Sequence, residues 1–145
     1  LQIDSFAYYI SVLRKQFTAY CTDKLSEVGV TYGQLYIIIF VGKMKECSPK
    51  DISLSLKLDA GHLNRALSKL IENELVEQRK NVNDRRSNIV ILTEKGKQVF
   101  EMSHNLFQEW DNMILSQLDD SSRQNMMDCI KKITFHNNNE MENSV

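Results

Sequence analysis

Long apolar runs are missing from this chain: the longest, Leu35 to Val41, is far short of the roughly 18 residues that a membrane-spanning helix needs. Cysteine is sparse. Cys21, Cys47 and Cys129 stand far apart with no Cys-x-x-Cys pair, a pattern that argues against both a zinc site and an oxidative framework. His62, His104 and His136 are equally scattered, so spacing offers no metal ligand set and no cofactor is expected. There is no phosphate-binding glycine loop, no Gly-x-Ser-x-Gly elbow and no His-Glu-x-x-His pair, and an enzyme is therefore not expected. No basic-then-apolar leader opens the sequence, and a cytoplasmic location is the expectation.

What is present is the composition of one ordinary globular domain, 145 residues of which 42% are apolar and 26% charged. The net charge of -1 conceals an asymmetry. Between Lys43 and Lys97 there are 12 Lys/Arg against 8 Asp/Glu, whereas the remainder holds 6 basic and 11 acidic residues. A basic module is set between acidic flanks, which matters more for a polyanionic partner than the total does.

Periodicity divides the chain into elements. Phe6, Ile10, Leu13, Phe17, Tyr20, Cys21, Leu25 and Val28 recur every three or four residues, predicting one long helix that ends at Gly29. Thr31 is a candidate N-cap for a second, central helix through about Lys45, with Leu35, Ile38, Ile39 and Gly42 on its buried surface. Ser48-Pro49 repeats the start signal for a short third helix carrying Ile52, Leu54, Leu56 and Leu58. The alternation in "DISLSLKL" also resembles a strand, but the cap and the proline favour helix. Asp59 opens a fourth helix with Leu63, Leu67, Leu70 and Ile71 on one face and His62, Asn64, Arg65, Ser68 and Lys69 on or beside the other. Two strand-like runs then flank a polar, basic tip, predicting a hairpin over residues 76–92. Thr93 and Glu94 begin a long helix, Asp119 to Ser122 break it, and a last helix runs from about Ser122 to Phe135 before a polar tail.

Helix, helix, helix, hairpin is the order of a winged helix-turn-helix. The predicted fold class is mainly α with a small β-hairpin wing, the winged helix-turn-helix being flanked by N- and C-terminal helices. A helix fits the major groove of duplex DNA and can set Arg, Asn, Ser or His against base edges, while a thin hairpin can place arginine in the minor groove. Two adjacent arginines at the tip favour DNA over a protein partner.

The segments "NDRRSNIVILTEKG", "DAGHLNRALSKLIENELV" and "VTYGQLYIIIFV" resemble, respectively, the wing, the recognition helix and the second helix of the MarR (multiple antibiotic resistance regulator) family, and the likeness runs from about Phe6 to Phe135. The resemblance implies a homodimer and a sequence-specific DNA-binding transcriptional regulator, a repressor whose affinity for a pseudo-palindromic operator is modulated by a small ligand. It implies that residues 1–29 and 98–136 are dimerisation helices, 31–97 the winged helix-turn-helix and 137–145 a flexible tail, all in one domain. It places Arg86 in the minor groove, Arg85 on a phosphate or sharing that groove, and Asp84 as the residue orienting the wing. Asn64 and Arg65 are then the expected base readers. Ala60, Gly61 and His62 approach the DNA backbone, and Ser68 and Lys69 contact phosphate or outer bases. Phe17, Tyr20, Tyr36 and Phe40 are the candidates for lining a ligand pocket. One departure stands out: where the family commonly has glycine after the recognition helix this chain has Glu74, so Asn73 is expected to supply the left-handed geometry. Two alternatives remain, a protein-binding winged helix and a thiol-based redox sensor acting through Cys21.

Overall fold

Side-chain caps set where most of the helices begin. The Thr31 hydroxyl accepts the Gln34 N–H at 3.2 Å while the Gln34 side chain accepts the Thr31 N–H at 3.1 Å. Ser48 and Asp51 make the same reciprocal pair at 3.1 and 2.9 Å, with Pro49 in the first helical position, where its missing N–H costs nothing. The Asp59 carboxylate accepts the His62 N–H at 2.8 Å, and the Thr93 hydroxyl accepts the Gly96 N–H at 3.0 Å. Each cap satisfies a donor that the first helical turn leaves without an intrahelical partner.

The computed structural model describes residues 3–136; the tail expected over 137–145 lies outside the described residues. In chain order the elements are α1 (Phe6–Ser26), α2 (Tyr32–Met44), β1 (Glu46–Cys47), α3 (Pro49–Leu56), α4 (Ala60–Glu72), β2 (Val76–Lys80), β3 (Asn88–Leu92), α5 (Glu94–Ile114) and α6 (Asp120–His136), with a 3-10 turn at Leu115–Gln117. The segment whose alternation resembles a strand is therefore helical. The sheet order is β1-β3-β2, antiparallel throughout, with Cys47 opposite Val90 and Gln78 opposite Val90 on the other side.

Hydrophobic periodicity does not reveal β1, because two residues are too few to show a period; it closes the free edge of β3. The last helix begins two residues earlier than the sequence reading, since Asp119 accepts the Ser122 N–H at 2.7 Å and caps it there. Val30, at the foot of α1, donates to the Leu25 carbonyl at 3.2 Å across Gly29, whose φ of 68° suits a residue with no Cβ.

The core is centred on α2, where Leu35, Ile37, Ile38, Ile39, Phe40 and Val41 are all buried. It draws Cys21 and Leu25 from α1, Ile52 from α3, Leu63, Leu67 and Leu70 from α4, Val76, Val90 and Leu92 from the hairpin, and Val99 and Leu106 from α5. The outer part of the α1 stripe behaves differently: Phe6, Ile10 and Leu13 are exposed. In α6 no side chain among the described residues is fully buried.

Candidate nucleic-acid interface

In α4, Leu63, Leu67 and Leu70 face the core, and His62, Asn64, Arg65, Ser68 and Lys69 are exposed, as are Ala60 and Gly61 at the first turn. Ile71 departs from the expectation. One residue step turns the helix by about 100°, which carries Ile71 off the stripe anchored by Leu70, and it is 40% exposed.

Arg65 reaches back toward the start of its helix, so that a Cβ on Gly61 would lie 3.4 Å from its Nη1 and 3.4 Å from the Asp59 carboxylate. The His62 amide bond holds the Asp59 carboxyl below its ordinary range, and the charges of His62 and Arg65 add to the effect. The helix start is thus an anionic cap with a guanidinium beside it. Ser68 donates its hydroxyl to the Asn64 carbonyl at 2.9 Å, and Lys69 pairs with Glu72 at 3.5 Å. The exposed Arg65 and Asn64 side chains make no hydrogen bond among the described residues.

The far end of α4 corrects the reading of Asn73. Asn73 has φ -84°, and it is Glu74 that adopts φ 60°. The Glu74 N–H donates to the Ile71 carbonyl at 2.9 Å and the Leu75 N–H to the Leu70 carbonyl at 2.9 Å, the two bonds of a Schellman motif, with Leu75 and Leu70 both buried. Geometry at that position is dictated by these two bonds and the packing of Leu75, and a side chain there is tolerated under strain.

The wing tip is braced by its own side chains. Asn81 accepts the Asn83 N–H at 3.0 Å, donates its amide to the Ser87 hydroxyl at 3.3 Å, and pairs its backbone N–H with the Ser87 carbonyl at 3.1 Å. Asp84 accepts the Arg86 N–H at 3.0 Å and, through its carbonyl, the Ser87 N–H at 3.1 Å. Asp84 therefore holds the backbone of Arg86 and not its guanidinium. The Arg85 and Arg86 side chains are exposed and make no ion pair among the described residues. Sequence reasoning missed Asn81 and Ser87; the signal available was that both residue types make local turn bonds.

The base of the wing is tied to α4 and α5 together. The Thr93 hydroxyl donates to the Glu74 carbonyl at 2.6 Å, the Thr93 N–H to the Leu75 carbonyl at 3.1 Å, and Lys95 Nζ to the Asn73 carbonyl at 2.9 Å. A lysine on the carbonyl end of α4 also complements that helix's dipole.

A sequence model of the MarR family matches residues 28–87. The HTH-type transcriptional regulator BilQ of Clostridium symbiosum is 34% identical over 129 residues, covering 89% of this chain and 90% of that protein. The chain belongs to the MarR family. A MarR transcriptional regulator from Methanosarcina mazei Go1 superposes with a TM-score of 0.80 at 29% identity, over 90% of this chain and 94% of that one. A cysteine-to-serine mutant of MarR from E. coli, solved in complex with operator DNA, shares the fold with a TM-score of 0.74 at 23% identity, over 88% of this chain and 91% of the other.

For this MarR-family chain the four pocket candidates fall in two places. Phe40 is buried in the core. Phe17 packs edge-to-face with Tyr32, Phe107 and Trp110, at centroid distances of 6.1, 5.3 and 5.0 Å. Tyr36 shares a 2.8 Å hydroxyl contact with Tyr32, and burial together with that contact raises its phenol. The half-buried Tyr20 bonds Glu109 at 3.3 Å. A separate cleft of about 560 Å³, where the residues just after α1, the C-cap of α4 and the first half of α5 meet, is lined by Glu27, Val28, Asn73, Lys95, Gln98 and Met102. The Cys21 thiol is fully buried, and burial pushes it up to about 11, so it is protonated at neutral pH and poorly nucleophilic. Burial likewise pushes Cys47 up to about 12, with Asp51 contributing.

Proposed function

We propose that this protein is a homodimeric transcriptional regulator that binds duplex DNA in a sequence-specific manner, with α4 in the major groove and the β2-β3 wing in the minor groove. The observation that carries the proposal is the state of the two wing arginines. Both are exposed and without an ion pair among the described residues, on a tip whose backbone is braced by Asn81, Asp84 and Ser87, so their charge is presented outward from a fixed loop. Arg65, at the middle of the outward face of α4, and Asn64 beside it are the base-reading candidates; Ala60, Gly61 and His62 lie at the end that approaches the backbone. Ser68 and Lys69 flank them toward phosphate. That relatives of this chain are named transcriptional regulators, and that one neighbour was solved on operator DNA, support the same reading. A cytoplasmic site of action goes with it.

The dimer rests on the terminal helices. Phe6, Tyr9, Ile10 and Leu13 of α1, Met113 of α5, and Ile130 and Ile133 of α6 are all more than a third exposed. A helix of 17 residues such as α6 is marginal alone in water and needs an apolar partner. We assign residues 1–29 and 98–136 to that partner contact and 31–97 to DNA. A twofold arrangement sets the two α4 helices at half-sites about 34 to 36 Å apart, one duplex turn. Repression then follows from occupancy of the operator, and a small ligand entering the cleft between α1, α4 and α5 acts on the end of α4. Sedimentation at micromolar concentration, followed by selection of bound sequences from random duplex DNA, tests the proposal: a dimer and a two-fold symmetric consensus are expected, and a monomer or the absence of any enriched sequence contradicts it.

A further inference from the structure

The exposed apolar side chains of α1, α5 and α6 have a place in the proposed dimer; Val82 does not. It sits at the tip of the wing, is 95% exposed, and is the most exposed large apolar residue of the described chain. Its neighbours on both sides are braced. Asn81 accepts the Asn83 N–H at 3.0 Å, spanning Val82, and Asp84 accepts the Arg86 N–H at 3.0 Å, so Val82 is presented on a braced arc in the same wing tip as the two arginines. A β-branched side chain on such an arc has few rotamers left to lose on contact.

We propose that Val82 is a specificity-determining residue that lies against the floor of the minor groove and selects A·T over G·C base pairs there. This rests on the DNA-binding reading above. The minor-groove edge of A·T and T·A carries only acceptors, whereas G·C adds an amino group that rises from the floor. Valine's methyl groups fill the space that this amino group occupies and give its N–H no acceptor, so a G·C pair under the wing loses both packing and a hydrogen bond. Arg85 and Arg86 supply attraction to the duplex charge, and Val82 adds a steric discrimination against the amino group.

The test uses the full chain and a duplex obtained by selection from random sequences, in which the pairs beneath each wing are set in turn to A·T, G·C or inosine·C. Inosine keeps the major-groove acceptors of guanine and lacks its minor-groove amino group. Wild type is expected to bind the A·T and inosine·C duplexes about fivefold more tightly than G·C, an effect of the size that burial of part of one valine allows. Val82→Asn, which offers the amino group an acceptor, is expected to lose that ratio while melting at the wild-type temperature, as a substitution at so exposed a site should. If inosine behaves like guanine, the amino group is not what the wing reads, and if Val82→Asn retains the full A·T preference, the arginines or the groove width are responsible; either result overturns the inference. Failure of wild type to bind any duplex overturns the DNA-binding reading itself, and this inference with it.

Discussion

The α-carbon of Gly96 faces the backbone carbonyl oxygen of Leu75 so closely that a methyl group in place of its hydrogen would overlap that oxygen. The contact joins the first turn of α5 to the residue that follows the Schellman end of α4, and the same carbonyl accepts the Thr93 N–H. Glycine is required here by proximity, not by dihedral angle. Gly96→Ala must push α5 away from the wing base, and we expect it to destabilise the fold by about 3 kcal/mol, at the upper end of overpacking costs. Denaturant unfolding measures this directly; a loss smaller than about 0.5 kcal/mol would mean that the two segments separate freely.

Glu74 presents the opposite case. Its φ of 60° is a left-handed conformation that strains any residue with a Cβ, and its side chain makes no hydrogen bond or ion pair among the described residues. Glu74→Gly relieves the strain but gains freedom in the unfolded chain, leaving a net stabilisation of about 0.5 to 1 kcal/mol. A raised denaturation midpoint with an unchanged slope is the expected result, and a lowered midpoint would show that the carboxylate contributes something that the geometry does not reveal.

Asp59 links stability to pH. The His62 amide holds its carboxyl below the ordinary carboxylate range, so the ionised cap favours the folded state above the unfolded pKa, and this contribution is lost as pH falls through the lower, folded value. Asp59→Asn keeps a capping oxygen and removes the titration. The melting temperatures of wild type and Asp59→Asn should therefore differ at pH 6 and converge as pH falls below about 4. A difference that stays constant over that range would place the stabilisation in the hydrogen bond alone.

Much of this fold was legible because its signals are local. Thr31, Ser48-Pro49, Asp59 and Thr93 announce helix starts by residue type, and those starts agree with the structure. The less legible parts depend on contacts between distant residues. Strand β1 exists because β3 offers Glu46 and Cys47 an edge, and nothing within two residues can announce that. The left-handed residue after α4 is decided by Leu75 reaching Leu70, so it fell on Glu74 and not on Asn73, whose residue type suggested it. Among the candidate site residues, exposure on α4 could be read from helical spacing, but the bracing of the wing by Asn81 and Ser87 needed the hairpin to be closed. The aromatic candidates Phe17, Tyr20, Tyr36 and Phe40 share helical spacing with the core, and spacing alone does not separate a cavity wall from packing.

In the DNA-binding reading, the exposed wing arginines engage the charge of a duplex. The salt dependence of binding to a selected duplex, wild type against Arg86→Ala, measures that engagement. Each phosphate charge neutralised contributes about 0.9 to the slope of log affinity against log salt, and a dimer carries two wings, so losing Arg86 should reduce the slope by about 2. An Arg86→Ala protein that binds more weakly but with the wild-type slope, or that binds no differently at all, would contradict the account.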